Sequence, residues 1–312
     1  MKATHLQPVL ATARHNTSPA CLTMGPVVFN WSPQKWRDFY FRIADEAPID
    51  VVYVGEVVCA KRLPFLAPVL PDVIARLVAA GKEIVLSTLA LNMNRRELNQ
   101  LGEVASDDSM LVEANDIAAI SLLHGRPHIV GPYVNVYNEG TLELLGRGGA
   151  IRVVLPAELP GSSISRLLEV GVPLEVQVFG RAPLAISARC YHARAENLHK
   201  DGCRFVCERD PDGLGVSTLD AQPFLAVNGL QTLSHGCLNL AEHMTDLARK
   251  GVRHFRLSPH MMDMVEVARL YRNLLDGHLS AGELVAALPH PDGAEFIDGF
   301  YRGVPGLSAV EI

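Results

Sequence analysis

Residues 71–88 read PDVIARLVAAGKEIVLST, and the fold turns on how this stretch is read. The first ten residues carry apolar side chains at helical spacing. Pro71 suits a first helical turn, and Gly81 suits the turn that ends a helix. The following run, EIVLST at 83–88, is short, apolar and rich in β-branched side chains, as a strand buried on both faces must be. A helix, a glycine and a buried strand, repeated, give a parallel sheet clothed in helices.

The unit recurs on both sides of this stretch. Strands are expected at 22–29, 51–56, 83–88, 110–114, 128–134, 151–155, 174–179 and 254–258. Helical patterns lie between most of them, as at 33–45 and 160–170, with Pro33 and Gly171 marking a start and an end. Roughly eight units predict an α/β chain closed as a (β/α)8-type barrel and not an open sheet. The rhythm breaks over 181–253, which is too long for a plain strand-to-helix loop. That span holds a Gly/Asp turn at 210–215, a strand-like FLAVNG at 224–229 and a helical pattern at 238–250. It reads as a cysteine-bearing insertion at the C-terminal rim of a single barrel domain spanning 22–312. Residues 1–21 lack the apolar stretch of a signal peptide and read as a disordered N-terminal extension.

Composition narrows the function. The net charge of −6 argues against a nucleic-acid surface, which needs a basic excess. No run approaches the ~18 apolar residues of a membrane helix. A cytoplasmic location is therefore expected, and disulfides are rare there. The six cysteines then point to metal or catalytic roles.

Four of the six form a pattern. Cys59 stands alone just after the second expected strand, and Cys190, Cys203 and Cys207 follow as C-x12-C-x3-C inside the insertion. Four thiolates are what a soft metal or an iron–sulfur cluster needs. The Cys203–Cys207 pair sits in KDGCRFVCERD, a charged loop ill suited to apolar packing. Structural zinc usually shows two close cysteine pairs, and only one is present, so zinc stays open without being favoured. The triad of radical chemistry is missing, because Asp210 stands where its third cysteine belongs. Cys21 and Cys237 read as small buried hydrophobes. His192 and His199 flank the cluster and offer themselves as ligands, but as lone loop histidines they read as solvated or supporting groups. Glu56, Lys61, Arg62, Asn135 and Asn138 are rim polar residues, either functional or simply solvated. Gly146–Gly149 follow a helical pattern and read as its C-terminal turn, not as a phosphate cradle.

The segments DVVYVGEVVCAKR (50–62), GKEIVLSTLAL (81–91), FGRAPLAISARCYHARAENLHKDGCRFVC (179–207) and FLAVNGLQTLS (224–234) together resemble the collagenase-like peptidases of unclassified mechanism, in the branch devoted to ubiquinone biosynthesis. The resemblance implies a 4Fe–4S cluster held by Cys59, Cys190, Cys203 and Cys207. It also implies oxygen-independent hydroxylation of a prenylated aromatic ring, with prephenate as the oxygen donor. The implied partners are a UbiU-like protein, in a heterodimer, and a UbiT-like lipid carrier that handles the prenylated quinone precursor. The competing expectation is a peptidase-like or scaffold protein with a structural zinc or cluster.

Overall fold

The alternation in the sequence becomes a closed barrel. The computed structural model describes residues 19–310, so most of the expected N-terminal extension lies outside the described residues. The strands are β1 (Cys21–Met24), β2 (Val51–Val54), β3 (Glu83–Ser87), β4 (Leu111–Ala114), β5 (His128–Val130), β6 (Ala150–Val154), β7 (Leu174–Ile186), β8 (Leu214–Ser217), β9 (Pro223–Asn228), β10 (Gln231–Asn239), β11 (His254–Leu257) and β12 (Phe296–Ile297). Among the described residues β1 to β7 run side by side and parallel, and β11 pairs in parallel with both β7 and β1. Eight parallel strands thus close on themselves as the (β/α)8-type barrel expected from the sequence.

Local chemistry explains the elements. Helix Pro33–Glu46 starts where the Ser32 side chain accepts from the Lys35 backbone N–H, and it buries Trp36, Tyr40, Ile43 and Ala44 at helical spacing. Helix Leu70–Ala79 carries Pro71 in its first turn and buries Val73 and Leu77. The outward strand residues, such as Leu22, Met24, Val52, Val54, Phe255 and Leu257, pack into the core between barrel and helices. Among the described residues no helix is long and apolar enough to cross a membrane.

The insertion departs from the alternation for a visible reason. β7 is 13 residues long because its second half leaves the barrel and pairs antiparallel with β10, from Phe179↔Asn239 to Ile186↔Gln231. β8, β9 and β10 then form an antiparallel sheet on that extension. The expected helix at 238–250 begins later, at Ala241, because Leu238 and Asn239 still pair with Gly180 and Phe179. Helix Ala241–Lys250 leads into β11 and takes the ordinary place of a barrel helix.

The lumen is polar. Arg256 on β11 donates to Glu175 Oε1 on β7 and to Glu113 Oε1 on β4, each at 2.7 Å. β4 is not a neighbour of β11 in the sheet, so the second bond crosses the barrel. Tyr53 Oη donates to Glu175 Oε2 at 2.6 Å, Thr23 donates to Oε1 at 2.8 Å, and Ser87 donates to Glu113 at 2.6 Å. Burial pushes the Glu175 carboxyl up, but Arg256 and Arg152 together overcome that and hold it at about 2, against 4.5 for a free glutamate. The folded carboxyl therefore takes its proton at lower pH than the unfolded one. Its stabilisation is complete at neutral pH and is lost as pH falls below 4.5 towards 2. We expect Glu175→Gln to lose about 3–5 kcal/mol in urea unfolding at neutral pH, because it strands buried arginines. The gap to the wild type should narrow as the pH is lowered, and a gap constant with pH would exclude Glu175 as the titrating group.

Candidate functional site

The segment GEVVCAKR leaves β2 at the C-terminal end of the barrel, and nearly every residue in it has a task. Gly55 has φ 126°, and a Cβ there would come within 2.6 Å of the Ser87 carbonyl, so only glycine lets the chain turn so close to β3. Glu56 is buried, and its Oε1 accepts from the backbone N–H of Val58 and Cys59 at 2.8 and 2.9 Å, which fixes the loop that carries Cys59. Burial raises the Glu56 carboxyl, against the pull of Arg62. Lys61 Nζ donates to the Lys200 carbonyl and pairs with Asp201 at 3.2 Å, tying this loop to the insertion. Arg62, only 2% exposed, sends Nη1 to the Val28 carbonyl at 3.1 Å and Nη2 to Asn228 Oδ1 at 2.7 Å and Cys207 Sγ at 3.7 Å.

The insertion supplies the facing thiols. Cys190 opens helix Tyr191–Ala195, and its sulfur accepts from the Ala193 N–H at 3.4 Å. Cys203 follows the turn Lys200–Gly202 and Cys207 sits in the turn Val206–Arg209. Between them Arg204 and Phe205 are both left-handed, at φ 50° and 53°. Two such non-glycine residues in a row cost of order 1–3 kcal/mol each, strain of the kind that collects at functional sites. Cys207 Sγ accepts from Asn30 Nδ2 at 3.3 Å as well as from Arg62. Cys207 lies within electrostatic reach of Cys59 and of Cys190, and Cys203 within reach of Cys190. The fold thus brings segments far apart in sequence to one end of the barrel.

Two residues at the centre of this arrangement escaped sequence reasoning. Asn228, at the end of β9, donates to the carbonyls of Cys207 and Asp210 at 3.0 and 2.8 Å, and its Oδ1 accepts from Arg62 and the Asn30 N–H. Asn30 lies beyond β1. The signal for Asn228 was the Asn–Gly pair of FLAVNG, a hairpin-turn dipeptide. Gly229, at φ 68°, is required there, since a Cβ would stand 2.6 Å from Arg62 Nη2.

The remaining sequence candidates sort by place. His192 is buried and bonds Asp210 through Nε2 at 2.8 Å, beside the cluster. His199 precedes the Lys200–Gly202 turn. Asn138 caps helix Glu139–Arg147, Asn135 takes a left-handed turn, and Gly148 and Gly149 close that helix. These are structural positions. Cys21 lies in β1 at the other end of the barrel from Cys59, and Cys237 is buried in β10 opposite Arg181 and Phe296.

The chemistry of the donor set is selective. Burial pushes the Cys59 thiol up to about 11, with Arg62 pulling it down and Glu56 pushing it up, and burial also raises Cys190. A catalytic cysteine needs the opposite shift and a neighbouring base. Among the described residues no histidine ring is hydrogen-bonded to a serine, threonine or cysteine. Also among the described residues, no three His, Cys, Asp or Glu side chains form a group that could hold a metal ion. Thiolates around one zinc stand about 3.8 Å apart, at Zn–S lengths of about 2.3 Å. The ligands of a cubane stand farther apart, because each binds its own iron.

Comparison with solved structures gives distant likenesses. A structure titled as the U32 peptidase Mk0906 aligns with 12% identity and a TM-score of 0.44, over 82% of this chain and 99% of that one. The tryptophan synthase complex of Pyrococcus furiosus aligns at 12% identity and TM-score 0.39, over 86% and 98%. The HPPK-DHPS of Plasmodium falciparum aligns at 12% and 0.40, over 82% of this chain and 46% of that one. The sequence itself is more specific, since the pattern of peptidase family U32 matches residues 35–306. That span takes in the barrel from its first helix, the insertion and all four thiols, and the chain belongs to peptidase family U32.

Proposed function

We propose that this chain is a UbiV-like member of its family: an iron–sulfur subunit of an oxygen-independent hydroxylase that acts on the prenylated aromatic ring in ubiquinone biosynthesis. The observation that supports the reading is that Cys59, Cys190 and Cys207 lie within electrostatic reach of the buried Arg62, with Cys203 in reach of Cys190. The raised thiols of Cys59 and Cys190 speak against a nucleophilic role. The ring substrate, the prephenate donor and the partners rest on the resemblance of GEVVCAKR and SARC-x12-C-x3-C to that branch.

In this reading the four cysteines hold a 4Fe–4S cluster. The cluster supplies one-electron transfer or structural support. The protein's own residues do the rest. Arg62 and Asn30 direct N–H groups at the Cys207 sulfur. Asn228 fixes the turn that carries Cys207. Lys61 holds the Cys59 loop against the Cys203 loop. With four thiolates bound no iron is left vacant, so ring hydroxylation falls to a site shared with the UbiU-like partner, and the UbiT-like carrier delivers the lipid.

Alanine at Cys59, Cys190, Cys203 or Cys207 should strip most iron and sulfide from the anaerobically purified protein, while Cys21→Ala and Cys237→Ala should keep both. Iron analysis decides, and full iron in Cys59→Ala would overturn the ligand set. A colourless protein that carries zinc would favour the structural-zinc reading. Co-expression with the UbiU-like barrel should give a stable heterodimer on anaerobic size exclusion, with an interface of at least ~1,000 Å². Full hydroxylating activity of this chain alone would sink the subunit assignment.

A further inference from the structure

The barrel mouth carries two hollows that share a wall. The inner one, about 30 Å³, has Glu113, Tyr133, Gln177, Arg181, Arg256 and Ser258 as its polar lining. The outer one, about 200 Å³, has Leu91, Pro156 and Ile186 among its walls and no charged side chain. Pro132, Tyr133 and Pro183 line both. Barrels of this kind hold their ligands at the C-terminal ends of the strands, and Tyr133 and Ser258 follow the ends of β5 and β11.

The inner hollow is rich in unused donors. Arg256 spends Nε and Nη2 on Glu175 and Glu113, and its Nη1 has no hydrogen-bond partner among the described residues. Arg181 spends Nε and Nη1 on the carbonyls of Asp212, Ser234 and His235, and its Nη2 has only Asp292, at 3.8 Å. Tyr133 Oη and Ser258 Oγ bond to nothing among the described residues, and Tyr133 lies within electrostatic reach of Arg256 and Glu113. None of these four groups is sealed in, since the enclosed polar atoms without a partner belong to residues elsewhere. Against them stands one unbonded side-chain acceptor, Gln177 Oε1, whose amide nitrogen is held by the carbonyls of Gly180 and Arg181. The two guanidinium groups, in residues 3% and 4% exposed, outnumber the single carboxylate on the walls, that of Glu113. Glu175, behind Arg256, is shared with Arg152. Buried cations in excess call for an anion.

We propose that the barrel mouth binds a small organic acid, with its carboxylate received in the inner hollow by Arg256, Arg181, Tyr133 and Ser258 and its apolar body held between the aliphatic walls of the outer one. Charge-assisted hydrogen bonds to a carboxylate are the strong ones, and an apolar pocket with a few convergent polar groups is how small-molecule sites are built. The inference goes beyond the function proposed above, which assigns no ligand to the barrel, and it stands whatever the thiols hold.

The full chain, purified anaerobically, would be titrated by calorimetry with cyclohexanecarboxylate, cyclohexanecarboxamide and acetate. Cyclohexanecarboxylate should saturate. The carboxamide, which keeps the shape and removes the charge, and acetate, which keeps the charge and removes the body, should each bind at least about tenfold more weakly. Tyr133→Phe and Ser258→Ala each remove a hydroxyl that no protein group uses, so the fold should be spared. Each should weaken cyclohexanecarboxylate by about tenfold, the loss of one hydrogen bond to a charged group. Absence of saturation, equal affinity for the acid and its amide, equal affinity for the acid and acetate, or wild-type affinity in either folded variant would each overturn the proposal. Iron content is a separate readout, so this proposal and the cluster assignment can fail independently.

Discussion

A guanidinium buried to 2% exposure needs partners for its charge and for its N–H groups, and Arg62 finds them on four separate pieces of chain. Val28 follows β1, Glu56 and Arg62 itself follow β2, Asn228 ends β9, and Cys207 belongs to the insertion. None of these pieces is held to the others by regular strand pairing at this point. Removing the guanidinium would leave Glu56 buried without a counter-charge and Cys207 with Asn30 as its remaining side-chain donor. The C-terminal rim is therefore organised around this cation, with Lys61 and the Phe65–Phe205 contact as further ties.

The lumen follows the same principle at greater depth. Arg256 joins Glu113 and Glu175 from different sides of the barrel, and its guanidinium lies 4.0 Å from the Tyr53 ring centroid. Each buried arginine cross-links elements that the backbone ladder leaves apart. Such pairs add little net stability over a well-packed apolar core, but losing one partner is costly. They set geometry: the lumen network fixes strands across the barrel, and the rim network fixes the insertion to the barrel mouth.

Much of this was legible in the sequence. The eight barrel strands announce themselves because they are buried on both faces, so EIVLS and VVYV read as apolar runs bounded by turns. The thiols stood out because charged residues surround them. The lumen network did not, because sequence does not reveal that Glu113, Glu175 and Arg256, on three separate strands, point at one another. β10 was hidden for a different reason. QTLSHGCLN is too polar and small to read as a buried strand, and it earns its place by pairing with the overlong end of β7. Asn30 and Asn228 bond to partners that are remote in the chain, which no local pattern can show.

The closing seam of the barrel has a consequence for biogenesis. The first strand hydrogen-bonds to β11, and β11 also joins β7, so the ring cannot shut until residue 257 has left the ribosome. Pairing that is so distant along the chain is slow and leaves apolar surface uncovered while synthesis continues. The Cys59 thiol emerges long before Cys190, Cys203 and Cys207, and the Asn228 and Arg62 contact that orders their meeting forms later still. Until the insertion has folded against it, Cys59 lacks the burial that raises its pKa in the finished fold. Its chemical vulnerability is therefore greatest on the nascent chain, before the rim is assembled.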